Sequence, residues 1–193
     1  MKKFFNSCCL TVLFCLAALP ATSRDGVAVV IDAVSYDSAR TELDGYVRAL
    51  EQRQNYKVYV VVDRWQVPDS IRTQLISLHS NKRDAIVGAV LIGDIPVPMV
   101  RDAQHLTSAF KMDQNHDRRE SSVPSDRFYD DFGLRFKPLG KDSEQPYWYY
   151  SLSADGNQQV KPDIFSGRIR PTDAGGISRY DKLRAYLRKA TRA

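Results

Sequence analysis

The chain carries only three imidazoles, His79, His105 and His116, and all three thiols, Cys8, Cys9 and Cys15, lie among its first fifteen residues. The histidines are too widely spaced for a zinc pair on one helical turn, and no later cysteine can complete such a site. Carboxylates offer more. Asp126, Asp130 and Asp131 crowd seven residues of sequence, and Asp155-Gly156-Asn157 adds an oxygen-rich turn. Hard oxygen donors of this kind are candidate ligands for a structural calcium, although the spacing is not that of an EF-hand and ordinary turns are the competing reading. Asp113, His116 and Asp117 could also meet around an ion, with solvated loop charge as the favoured alternative. Asp130 and Asp131 are adjacent, so on a strand they would face opposite ways and make a poor glycosidase pair. Acyl transfer requires a nucleophile, a base and oxyanion donors, and no G-x-S-x-G elbow is present. Ser166, in Phe165-Ser166-Gly167-Arg168, reads as a strand residue. No glycine-rich phosphate loop stands at Ala33-Val34-Ser35-Tyr36, which disfavours a dinucleotide site.

Lys2 and Lys3 precede an apolar run over 10–19 and then Pro20-Ala21-Thr22-Ser23. That is the pattern of a signal peptide over residues 1–23, with an uncleaved anchor as the minority reading. The run is shorter than the ~18–20 apolar residues of a membrane-spanning helix, and no later stretch approaches it. The expected mature chain, residues 24–193, is therefore one exported α/β domain, periplasmic, cell-surface or extracellular, with no integral membrane segment. It has no thiol, hence no disulfide, no thiolate metal site and no cysteine nucleophile, and no catalytic residue is assigned. The formal charge of 28 − 23 = +5 falls to 26 − 23 = +3 once Lys2 and Lys3 are removed. That mild surplus is not the footprint of a nucleic-acid partner. With 43% hydrophobic residues, disorder is excluded and a packed core is expected.

Three β-branched, nearly continuous apolar runs, 27–34, 56–62 and 86–92, predict strands covered on both faces, as in parallel sheets. Between the first two, Ala39, Leu43, Tyr46, Val47 and Leu50 recur at helical spacing. Between the second and third, Pro68-Asp69-Ser70 opens a helix carrying Ile71, Leu75 and Leu78. The β-α-β-α-β order predicts an open sheet with helices on both faces. Gly93 to Pro98 reads as a loop at the carboxyl end of a central strand, where such sheets place functional groups. Residues 102–145 read as a long, polar, broken connection. Further strands are expected at 147–152 and 163–169. A last helix, capped by Thr172 or Asp173, carries Ile177, Tyr180, Leu183, Leu187 and Ala190 on one stripe. Its Arg179, Lys182, Arg184, Arg188, Lys189 and Arg192 read as a solvated basic face, with an acidic surface or membrane as the sharper alternative. Since a crossover helix is normally followed by a strand, this helix either closes the sheet or belongs to the front part of a longer protein.

Four segments occur in a telling order: Gly93-Asp94-Ile95-Pro96 after a strand, Ser125-Asp126-Arg127-Phe128-Tyr129, Asp155-Gly156, and Gly167-Arg168-Ile169 at the end of a strand. Over about residues 86–190 this resembles the gingipain-type cysteine peptidases, whose fold is caspase-like. The resemblance implies an exported three-layer α/β/α sandwich with a mostly parallel sheet, caspase-like or flavodoxin-like, incomplete at its carboxyl end. It implies cysteine-type endopeptidase activity on a peptide or protein substrate. The family's catalytic histidine and cysteine follow strands beyond the Gly-Arg-Ile segment, and no residue here matches either, so this segment alone is expected to be inactive. One substrate-side position carries over: Asp155 stands near the acidic residue that faces a basic side chain in arginine- and lysine-specific members, with turn shaping or calcium binding as the preferred alternative. A non-catalytic exported binding module derived from the same fold is the competing expectation. A metal-dependent hydrolase using 126–131 ranks last.

Overall fold

The computed structural model describes residues 23–192. The expected leader lies almost wholly outside the described residues. β1 (Gly26–Asp32), β2 (Lys57–Asp63), β3 (Ile86–Ile92) and β8 (Phe165–Ile169) form an all-parallel sheet in the order β2-β1-β3-β8. β1 and β3 are central, which is why their sequences are apolar almost without interruption. The protein is an α/β sandwich, as the strand pattern predicts.

One face of this sheet is covered by α1 (Ala33–Arg53) and α5 (Arg179–Arg192), where Ala39, Leu43, Leu183 and Leu187 bury against Val29, Ile31 and Ile92. The other carries α2 (Pro68–His79) and the short α4 (Arg127–Asp130), where Ile71, Leu75, Phe128 and Tyr129 meet Ala28, Val30, Ala89 and Leu91. Alternation along β1 sends successive side chains into the two layers.

The first strand is shorter than expected. Asp32 stops it, because its Oδ1 accepts the N–H groups of Val34 and Ser35 at 3.0 Å each and so caps α1 immediately. Ala33 and Val34 are therefore helical, and α1 begins well before its apolar stripe. At the other end, Ile177 lies outside α5 and is half exposed. Asp173 accepts the Arg179 N–H at 2.7 Å, so it does serve as a cap, from six residues upstream.

Residues 97–141 depart most from expectation, whereas the strand expected at 147–152 is found with those bounds. The loop after β3 is short, since β4 (Val97–Arg101) already begins at Val97 despite Pro98. The long connection folds into α3 (Arg118–Ser121), β5 (Val123–Pro124), α4 and β6 (Phe136–Lys141). With β7 (Tyr147–Leu152) these strands make a second, mixed sheet ordered β5-β4-β7-β6. It is held to the first layer by aromatic packing: Phe128 contacts Tyr150 and Phe136 at ring separations of 4.4 and 5.0 Å, and the Arg72 guanidinium stacks on Phe128, Phe132 and Phe136.

Candidate functional site

In the order β2-β1-β3-β8, the chain leaves β1 toward one side for β2 and reaches β3 on the other. The carboxyl ends of β1 and β3 therefore bound a switch-point crevice, the place where open α/β sheets hold ligands. Asp32 stands at its floor. Besides capping α1, its Oδ2 accepts the Asp94 N–H at 2.8 Å, which ties the turn after β3 to the end of β1. Gly93 allows this approach: its φ is +80°, and a Cβ there would overlap the Asp32 carboxylate and the Ser35 hydroxyl. Gly93 also donates its N–H to the Ile169 carbonyl at 2.9 Å, so the turns after β3 and β8 share one rim.

The Asp94 carboxylate projects from that rim to Arg179 at the start of α5, 2.7 Å away, and reaches Arg170 at 4.0 Å. The hydrogen bond from Arg179 to Asp94 holds the guanidinium above its ordinary pKa. Beyond Asp94 opens a cleft of about 460 Å³ between the sheet rim and the start of β7, walled by Trp65, Pro96, Pro146 and Trp148, with Lys141 and Arg170 at its margin. Both indole N–H groups are spent on backbone: Trp65 donates to the Ile31 carbonyl and Trp148 to the Gln66 carbonyl, each at 3.0 Å. The ring faces are thereby fixed toward the cleft.

Arg168 joins the segments singled out in the sequence. Its Nε and Nη2 grip the two Asp126 carboxylate oxygens at 3.1 and 2.7 Å, and its Nη1 donates to the Ile95 carbonyl at 2.8 Å. Tyr129 donates its hydroxyl to the Pro96 carbonyl at 2.8 Å and is wholly buried, which drives its pKa far up. The Gly-Asp-Ile-Pro turn, the Ser-Asp-x-x-Tyr segment and the Gly-Arg-Ile strand thus meet at one guanidinium.

The three candidate calcium ligands go to three different partners. Asp126 is held by Arg168. Asp130 pairs with Arg127 at 2.5 Å and accepts the Ser166 hydroxyl at 2.5 Å. Asp131 accepts the N–H groups of Leu134 and Lys161 at 3.4 and 2.7 Å. Burial raises the Asp130 carboxyl to about 6, against the opposing pull of Ser166 and Arg127, and its Oδ1 has no hydrogen-bond partner among the described residues. His116 lies between Asp113 and Glu120, while Asp117 caps α3. Among the described residues, no group of three His, Cys, Asp or Glu side chains is arranged to hold a metal ion. His79 meets the Ile86 carbonyl and His105 the Gln158 side chain, so the imidazoles stay apart.

Asp155 is exposed and accepts the Ser153 hydroxyl at 2.9 Å in the turn after β7. The cleft lies at the other end of that strand, beside Tyr147 and Trp148, about 13 Å of extended chain away from Leu152. The residues that sequence reasoning passed over are Trp65, Lys141, Trp148 and Arg170. A usable signal existed, for the chain's two tryptophans fall just after one strand and near the start of another.

The basic residues of α5 are largely engaged. Arg184 donates to the Ser38 carbonyl, Arg188 to Glu42 and Lys182 to the Thr172 carbonyl. They clamp α5 onto α1 and its own lead-in loop. No described helix is long and apolar enough to cross a membrane. Comparison with family models, curated proteins and solved structures finds no match to this chain.

Proposed function

We propose that residues 24–193 form the front, scaffold-building part of an exported gingipain-like cysteine endopeptidase, whose His/Cys dyad is supplied by residues outside this chain. The observation that carries this reading is the meeting of the Gly93–Pro96 turn, through the Ile95 and Pro96 carbonyls, with the Ser125–Tyr129 and Gly167–Ile169 segments at Arg168 on the carboxyl rim of a parallel sheet. Rims of this kind are where such sheets carry their chemistry.

The edge of the sheet supports it further. Among the described strands β8 pairs only with β3, and beside it Phe165 and Tyr186 are each about half exposed. A groove of about 320 Å³ runs there past Ile169, Pro171, Leu183 and Tyr186. A further strand laid along β8 would pair its open backbone groups and cover this apolar surface. The dyad of the complete enzyme would follow such strands. Its thiolate would attack the peptide carbonyl carbon, the imidazolium would protonate the leaving amine, and water would then hydrolyse the thioester.

The test is an assay of purified residues 24–193 on fluorogenic arginine and lysine peptides, beside the product of the uninterrupted reading frame. No turnover by the segment, and iodoacetamide-sensitive turnover by the longer product, are expected. Turnover by the segment that survives thiol blocking would overturn the reading, as would a longer frame without a His-Gly strand and a Cys-bearing strand.

A further inference from the structure

The crevice is one section of a continuous groove. A neighbouring hollow of about 270 Å³, lined by Val34 and Arg64, shares Trp65, Gln66 and Asp94 with the main cleft. A second of about 490 Å³, toward Pro124 and Asp126, shares Val97 and Arg170 with it. The groove therefore crosses the carboxyl rim of the whole parallel sheet, from Arg64 just after β2 to Arg170 just after β8. Three inter-strand steps of ~4.8 Å make that span ~14 Å, the length of about four extended residues.

Unpaired charge along it is mostly positive. Every carboxylate in it is already engaged. Asp32 accepts three backbone N–H groups, Asp94 is held by Arg179, and Asp126 is gripped by Arg168. The cations are not matched in the same way. Among the described residues, Lys141 and Arg64 have no acidic partner, and Arg170 has only Asp94 at 4.0 Å. Between these charges stand the fixed faces of Trp65 and Trp148 with Pro96 and Pro146. Since both indole N–H groups are already bonded to backbone, the walls offer apolar area and little else.

We infer that this groove binds an extended peptide segment carrying acidic side chains about four residues apart, with apolar residues or proline between them against the tryptophans. An oligosaccharide fits less well, because its hydroxyls would need closely spaced polar partners, and among the described residues Gln66 is the only neutral polar side chain lining the main cleft. Binding here does not depend on the peptidase reading, since it requires neither dyad nor turnover.

Trp65 and Trp148 are the chain's two tryptophans and both line the cleft, so tryptophan emission, excited selectively over the ten tyrosines, reports on this site alone. The purified chain is titrated with the capped peptide Ac-Glu-Leu-Pro-Leu-Glu-NH2, its lysine counterpart, its uncapped free acid and a heparin hexasaccharide. The capped acidic peptide is expected to shift tryptophan emission saturably, more weakly at higher salt. Lys141→Glu and Arg170→Glu, each checked for unchanged far-ultraviolet circular dichroism, should weaken it by about three- to tenfold per site. An equal response to the lysine peptide overturns the assignment. So does binding that needs a free terminal carboxylate, tighter binding of the hexasaccharide, or affinity untouched by both substitutions.

Discussion

Replacing Arg168 by methionine keeps an unbranched apolar stem and removes the guanidinium fork. Four hydrogen bonds are lost: two to Asp126, one to the Ile95 carbonyl at 2.8 Å and one to the Pro96 carbonyl at 3.3 Å. Were the pair fully buried, stranding Asp126 would cost about 3–5 kcal/mol. On a free surface it would cost under about 1 kcal/mol. Arg168 is 18% exposed and Asp126 29%, so water reaches the abandoned carboxylate and part of the Coulomb energy is already screened. The Pro96 carbonyl also keeps its bond from Tyr129. The expected loss is about 2–3 kcal/mol, which at a urea m-value of about 2 kcal/mol/M lowers the midpoint by about 1–1.5 M. Combining Arg168→Met with Asp126→Asn should give a coupling energy of about 1.5 kcal/mol. Arg168→Lys should recover little, because an ammonium cannot grip both carboxylate oxygens and a carbonyl in one plane. A coupling below about 0.5 kcal/mol, or a lysine variant as stable as the parent, would refute the claim that this guanidinium joins the three segments.

Asp130 has a raised folded-state pKa, about 6 against about 3.8 unfolded, so the native state binds the proton more tightly. Stability should therefore fall by about 3 kcal/mol as pH rises from ~4 to ~6 and stay level above, and Asp130→Asn should flatten that window in urea midpoints taken at each pH. Asp142 behaves oppositely: the N–H groups of Glu144 and Gln145, with Tyr149 and Arg119, lower it to about 2. Its contribution is present above pH ~4 and is lost as pH falls toward 2, so Asp142→Asn should blunt acid unfolding followed by circular dichroism. Gly93→Ala combines a positive φ with overlap on Asp32 and Ser35 and should cost about 3 kcal/mol or more in a denaturant melt. Asp32→Ala removes a helix cap and the Asp94 tether and should cost about 2 kcal/mol, read as a thermal-midpoint drop of several degrees.

The parallel layer was legible because its strands are buried on both faces, and burial writes itself into Val29–Ile31 and Ala89–Ile92 as unbroken apolarity. Of the second sheet only β7, expected at 147–152 and found there, was legible, and the rest was hidden for opposite reasons. β4 contains Pro98, β6 contains Pro138 and Gly140, and β5 is two residues long, so none shows a period-two pattern long enough to recognise. Its order comes from partners distant in sequence: β4 lies parallel to β7 with Met99 opposite Tyr149, and Arg118 lies over the Tyr149 ring. The end of β1 was misplaced because Asp32 reads as a polar interruption in a strand, whereas its carboxylate acts three-dimensionally as a helix cap. The candidate site divides in the same way. Gly93, Asp94, Asp126 and Arg168 stood out through local motifs. Trp65, Lys141, Trp148 and Arg170 are brought together only by the crossing of two sheets.

Proximity in sequence also proved a poor guide to shared chemistry. Asp126, Asp130 and Asp131 look like one cluster, yet the short α4 turns them toward Arg168, toward Arg127 with Ser166, and toward two backbone N–H groups. Each thereby helps hold the 125–131 segment against residues 161–168. Along the sheet rim the same partition of carboxylates makes a small net positive charge directional. Asp32, Asp94 and Asp126 are consumed in capping, tethering and clamping, while Lys141, Arg64 and Arg170 keep most of their charge for the groove. A mild surplus spread over the whole surface would steer nothing. Concentrated beside two immobilised tryptophans, it selects for sign, and that selectivity should fade with salt over the range in which the Debye length shrinks from about 10 to about 3 Å.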